Sequence, residues 1–161
     1  MFRSARTFKL FLFILGIATV IFDQTTKFLI KKIPETGIFL FKTDFLNLKF
    51  QLAHNPFIAF SLPVSRPLIL LLSLIIFGFL IYYIQQSFKK NNLWRSTLLI
   101  LIISAAFSNF LDRLFFKNVI DFISITIYNY SWPIFNFADT VIVITTVVFL
   151  IYELKNPEKK L

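Results

Sequence analysis

The sequence contains no cysteine and a single histidine, His54. Disulfides, zinc–thiolate centres and thiol nucleophiles are thereby excluded, and so is a multi-histidine metal site. Glycine occurs only three times. Acidic residues are also scarce: eight, against 17 Lys and Arg, for a net charge of +9. Such a balance suggests nucleic acid, but the basic residues flank apolar segments, where they set topology and meet anionic lipid heads. No nucleic-acid partner is therefore expected. What the chain has in excess is hydrocarbon. It is 57% hydrophobic, with 23 phenylalanines and a mean hydropathy of +0.76. A soluble domain averages about 45–50% apolar. Arranged in long runs, this excess means a membrane.

A spanning helix needs roughly 20 mostly apolar residues. Four such segments are present, at about residues 10–30, 67–88, 96–116 and 134–152. The first follows a basic start, "MFRSAR", but no small-x-small cleavage site follows its apolar core. It reads as a retained helix and not as a removed leader. The expected class is an α-helical integral membrane protein with four transmembrane helices, organised as one membrane-embedded domain over residues 1–161.

Orientation follows from Lys and Arg in the short flanks. Arg3, Arg6 and Lys9, then Lys89, Lys90 and Arg95, then Lys155, Lys159 and Lys160 mark one side. Both termini are expected in the cytoplasm, with the loops 31–66 and 117–133 on the outer face. Within the first loop, "NLKFQLAH" alternates apolar and polar residues, the period of short strands, and Asn55-Pro56 marks a turn. A small extracytoplasmic β-sheet is expected there. The second loop, "FFKNVIDFISITIYNYSWP", is apolar and aromatic, and is expected to lie along the interface.

Polar residues at membrane depth need a reason, because a charge there is costly. Asp139 lies about six residues past Pro133, roughly 9 Å along a helix. Asn136 is three residues before it, on the same helical face. Asn109, Asp112 and Arg113 share a face at the end of the third helix. Asp23 and Lys27 stand at i, i+4 in the first, in the favourable order for an ion pair. The topology brings Asp23, Asp112, Asp121 and Asp139 to one side of the membrane, within reach of Asn55.

Bland readings compete with functional ones. Asp23 with Lys27 reads as a structural tether. Asp112 with Arg113 reads equally as an interfacial ion pair or as support for a site. His54 reads as a non-catalytic loop residue, and the phenylalanines as lipid-facing filler. Asp121 and Asp139 differ: neither has a basic residue within three positions, among Ile, Phe and Val. An unpaired carboxylate in such surroundings is a functional candidate. Two carboxyl groups close together in a dry setting cannot both ionise. They hold one proton between them, so one can activate water while the other donates to a carbonyl oxygen. That chemistry needs no metal, thiol or histidine.

Two other classes fit clustered acids less well. A metal-dependent lipid phosphotransferase would hold Mg²⁺ by carboxylates and would favour closer spacing. A proton-coupled carrier would place its acids near the midplane. A serine–lysine protease would need a serine tied to Lys27, which local spacing does not supply.

Five stretches, in order, resemble the boxes of the signal peptidase II family of bacterial aspartyl membrane proteases. "FDQTTK" is similar to its Asp-Gln-x-x-Lys box, "HNPFIAFS" to its Asn box, and "NFLDRL" to its Asn-x-x-Asp-Arg box. "VIDFI" and "WPIFNFADTVI" resemble its two aspartate boxes. The resemblance implies Asp121 and Asp139 as the catalytic pair. It implies Asn136 as a support for Asp139, with Asn55, Asn109 and Arg113 holding substrate or ordering the site. Asp112, Asp23 and Lys27 would be supporting residues. It implies a prolipoprotein already carrying diacylglycerol as substrate, cut just before the lipidated cysteine, in the bacterial inner membrane. Membrane lipids are the other expected partner and no cofactor is expected; since all parts of the site come from one chain, a monomer is expected. The chain departs from the pattern at Phe57, and at Ser104, Ala105 and Ser108, where the family has glycine.

Overall fold

The computed structural model describes residues 5–56 and 64–157. Phe57 and the rest of the stretch to residue 63 lie outside the described residues. Four helices form: α1 (Ala5–Ile30), α2 (Arg66–Lys89), α3 (Leu93–Phe116) and α4 (Phe137–Lys155). All four are long and apolar enough to cross a membrane. Large apolar side chains cover their outsides, with Phe13, Ile75, Phe79, Val143 and Leu154 among the exposed. Such a surface is unsuited to water and suited to lipid.

The helix ends follow local chemistry. Pro67 stands in the first turn of α2, where its missing N–H costs nothing. The Asn92 side chain caps α3 by accepting from the Arg95 N–H at 3.0 Å. Lys117 ends α3 in the left-handed conformation, at φ 67°. Arg66 donates to the carbonyls of Arg113 and Leu114, both at 2.8 Å, and so satisfies the last turn of α3 from α2.

Helix α3 is central and packs against α1, α2 and α4. Its approach to α1 depends on Gly16. A Cβ placed there would lie 2.7 Å from Ser104 Oγ. We therefore expect Gly16→Val to cost about 1–3 kcal/mol by overpacking. Removing the hydroxyl as well, in Gly16→Val/Ser104→Ala, should return part of that loss, read as resistance to detergent unfolding.

The loops form one antiparallel sheet in the order β1-β2-β3-β4. Strands β1 (Ile38–Lys42) and β2 (Leu46–Asn55) come from the first loop, as the alternation predicts. Strands β3 (Val119–Ile127) and β4 (Tyr130–Ser131) come from the second. The segment expected simply to lie along the interface is thus the sheet's other half, with Leu46 opposite Ile127 and Ala53 opposite Asp121. The register slips between Phe50 and Ala53. Such a bulge re-aims side chains beside it. Ile30, Ile120 and Phe122 form a buried cluster with Phe50 and Phe137 against it, and this seam joins α1, the sheet and the start of α4.

Candidate active site

The fourth helix starts later than its apolar run implies. Residues 134–136 are not helical: Phe135 pairs with Ile123 of β3, its N–H donating to the Ile123 carbonyl at 3.1 Å. Asn136 is consequently the N-cap of α4 and not a residue within it. This corrects the shared-face reading, and the reason is local. An Asn side chain satisfies orphan N–H groups at a helix start better than it serves the interior. Its Oδ1 accepts from the Asp139 N–H at 2.9 Å, and Asp139 Oδ2 accepts from the Asn136 N–H at 3.2 Å. This is a reciprocal capping box. It fixes Asp139 in the first turn of α4 by hydrogen bonds to its own helix start.

The same Asn136 reaches Asp121. Its Nδ2 donates to Asp121 Oδ1 at 2.7 Å and to Asn109 Oδ1 at 3.1 Å. Asn109 Nδ2 in turn donates to Asp139 Oδ1 at 2.8 Å. One amide therefore joins the two candidate carboxylates, and a second braces the later one. Asn55, at the end of β2, donates to Asp121 Oδ2 at 3.0 Å. Both oxygens of Asp121 are thus engaged by amide donors from different elements.

Beneath this layer lies a buried ionic one. Lys27 Nζ stands 2.6 Å from Asp23 Oδ2 and 2.8 Å from Asp112 Oδ2. It also donates to Asn109 Oδ1 at 2.8 Å. Asp112 thus makes its ion pair with Lys27 across the bundle. Asp23 does more than tether α1 to its own next turn. Its Oδ1 accepts from the Ala138 N–H at 2.9 Å, so α1 also holds the beginning of α4. Arg113 is partly buried, and its Nη1 donates to the Asn109 carbonyl at 3.3 Å.

Hydrogen-bond polarity is set along this chain. Lys27 offers only donors, so Asn109 turns its oxygen toward Lys27. Its nitrogen is then left for Asp139. An amide in isolation has no such preference, and the network decides it.

Two contributors are missing from the sequence reading. Gln24 Nε2 donates to Asp112 Oδ1 at 2.8 Å and to Ser108 Oγ at 2.9 Å. Ser108 Oγ donates to Asp23 Oδ2 at 2.7 Å. Gln24 sits inside the quoted "FDQTTK" box, which was the available signal. Ser108 occupies a position where resemblance suggested only a lost glycine. His54 stands apart, exposed and bonded to Asn118 at 2.9 Å.

Asp121 lies on β3, outside the helices, and only 2% of its surface is exposed. Burial pushes its carboxyl up to about 6. The Asn55 hydrogen bond opposes the rise, the nearby charge of Asp139 adds to it, and Asn136 and Lys27 pull it down. A carboxyl near neutrality, linked by one amide to a second carboxyl, can hold and release a proton during acyl chemistry.

The family model described as "Signal peptidase (SPase) II" matches residues 15–155. A lipoprotein signal peptidase of Borreliella burgdorferi (strain ZS7) is 34% identical over 162 aligned positions, covering 94% of this chain and 92% of its own. That of Pelagibacter ubique (strain HTCC1062) is 35% identical over 147, covering 89% and 87%. A solved bacterial membrane enzyme, determined in meso at 2.3 Å resolution, superposes with a TM-score of 0.74 at 30% identity, covering 93% of each chain. A second, at 1.9 Å resolution, gives a TM-score of 0.72 at 29% identity, covering 90% of this chain and 93% of the other. The family model spans the chain from within α1 to the end of α4, and on it the chain belongs to the signal peptidase II family.

Proposed function

We propose that this bacterial membrane protease is an aspartyl endopeptidase. It removes the signal peptide from diacylglyceryl-modified prolipoproteins, cutting before the lipidated cysteine. Asp121 and Asp139 carry the reaction. The observation behind this reading is the bridge through Asn136, which bonds Asp121 by its side chain and Asp139 by both side chain and backbone. With one proton on the pair, the ionised carboxyl takes a proton from water as that water attacks the scissile carbonyl. The protonated carboxyl donates to the carbonyl oxygen. The resulting tetrahedral diol collapses as the amine leaves with the proton taken from water, and a diol hydroxyl returns its proton to the pair. The titrations belong to the pair and not to either residue alone. The loops and the active site face outward, with both termini in the cytoplasm, and the membrane is the bacterial inner one.

The apolar lining of the bundle supports a preference for lipidated substrate. An open apolar groove of about 470 Å³ lies between α1, α2 and α3. Val20 and Phe107 line it, within one turn of Asp23 and Ser108. An acyl chain fits such surroundings, whereas an unmodified cysteine gains nothing from them. The direct test compares diacylglyceryl-modified precursor with unmodified precursor in the same detergent or bilayer. Cleavage confined to the lipidated form is expected. Equal cleavage of both would remove the lipid from the specificity.

The rate should also depend on pH in a stated direction. The pair needs one proton, and burial holds the Asp121 carboxyl up at about 6. The alkaline limb of kcat/KM is therefore expected to fall through an apparent pKa at or above that value. An alkaline limb absent up to the lysine range would contradict a shared carboxyl proton.

A metal-dependent lipid phosphotransferase and a proton-coupled carrier gain no support from the family match. Among the described residues, no group of three His, Cys, Asp or Glu side chains is arranged to hold a metal ion.

A further inference from the structure

The sheet end of the molecule is basic, and in the orientation proposed above it is the side where membrane proteins carry fewest Lys and Arg. Lys31 and Lys32 follow α1, Lys42 ends β1 and Lys49 lies in β2. Among the described residues none of the four makes an ion pair. Each lies instead over an aromatic ring. Lys31 stands 4.6 Å from the centre of Phe116, and Lys32 4.7 Å from that of Phe28. Lys42 and Lys49 converge on one ring, Phe39, at 5.0 and 5.3 Å. All three rings are exposed.

The fold holds the Phe39 pair in place. Lys49 is directly opposite Phe39 in the β1–β2 ladder. Gly37, at φ +72°, makes the turn before β1 and leaves room for the Lys49 stem: a Cβ there would lie 2.6 Å from Lys49 Cε. Two ammonium groups held near one exposed ring repel each other, and an anion between them offsets that repulsion. Of the carboxylates at this end, Glu35 and Asp44 are exposed, and Asp121 is buried against Asn55 and Asn136. Every residue of β1 is exposed, including Ile38, Leu40 and Phe41. A partner that fits this face offers an anionic group to the ammonium groups and hydrocarbon to the rings beside them.

We infer that the Lys42–Lys49–Phe39 face docks on the headgroups of anionic phospholipids, with Lys31 and Lys32 as a second contact. The rings and the stems of the lysines sit at the interface, and the ammonium groups meet lipid phosphate. Strands β2 and β3 of the same sheet carry Asn55 and Asp121, so this contact sets the height of the candidate site above the hydrocarbon. The proposal goes beyond the proteolytic reading and does not depend on cleavage.

The test uses the full chain in nanodiscs of phosphatidylcholine with a minority of phosphatidylglycerol, and counts retained lipids by native mass spectrometry. Wild type should enrich phosphatidylglycerol. Lys42→Gln/Lys49→Gln should lower that preference by about fivefold or more, on the usual contribution of a basic residue near an anionic surface. Lys42→Arg/Lys49→Arg should keep it, and added salt should weaken it. Asp139→Asn should retain the full preference, which separates this inference from the protease reading. Equal enrichment in wild type and the Gln variant would overturn it. So would inorganic phosphate binding in detergent with the same dependence on the lysine pair, since that would be a small-anion site and not a lipid face.

Discussion

Asp121→Asn and Asp139→Asn are each expected to lower cleavage of a lipidated precursor by about 10²–10⁴-fold or more, the range for losing a positioned acid or base. The readout is release of the signal peptide by purified enzyme. Wild-type rates in either variant would end the aspartyl mechanism. Loss of activity is informative only if the variants fold, and Asp121 supplies an internal control. Its carboxyl stands at about 6 in the folded chain against an ordinary 3.8. Between those values the folded state binds the extra proton, so acidification from neutral pH favours folding. Above about 6 the buried charge is a net cost. Asn cannot ionise and removes that cost, while losing one hydrogen bond to Asn55 or Asn136. The balance is a gain on the order of 1–2 kcal/mol. Asp121→Asn should therefore melt at or above wild type at pH 7.5, and the gap should close toward pH 4. A variant that melts lower at pH 7.5 would refute the buried-charge account.

Lys27→Met should have the largest effect on the fold. Lys27 is 1% exposed and stands between Asp23 and Asp112, each fully buried. Removing the ammonium leaves two carboxylates in a dry interior without their cation. Breaking such a buried arrangement costs about 3–5 kcal/mol. Folded protein should be lost from the membrane or reduced severalfold. The cause can be isolated by also neutralising the acids. Lys27→Met/Asp23→Asn/Asp112→Asn should recover folded protein, because replacing a whole ionic group is far less costly than breaking it. The rescued chain should still cleave poorly. Lys27 orients the Asn109 amide, and Asp23 holds the Ala138 N–H at the start of α4. Wild-type stability in Lys27→Met would refute the ionic core. Full activity in the rescued triple variant would refute its positioning role.

Sequence alone determined the features that depend on near neighbours. Four apolar runs of helical length specify four spans, because every backbone group in hydrocarbon must be satisfied within its own segment. Asp23 and Lys27 are one turn apart, so their pairing follows from the helix itself. The alternation in "NLKFQLAH" specifies β2. The ordered boxes point to the family.

Tertiary structure decided the rest. The second loop shows no clean alternation, because β3 is buried on both faces at its start and reads as an apolar run. Its membership of the sheet depends on pairing with β2, more than sixty residues away. Asn136 became a cap because Phe135 is held on β3. Asp112 reached Lys27, and Ala138 reached Asp23, across gaps in sequence that no local period encodes. The sequence supplies the polar groups and their depth. Only packing of α1, α3, α4 and the sheet decides which donor faces which acceptor, since a buried polar group takes whatever partner the fold brings within reach.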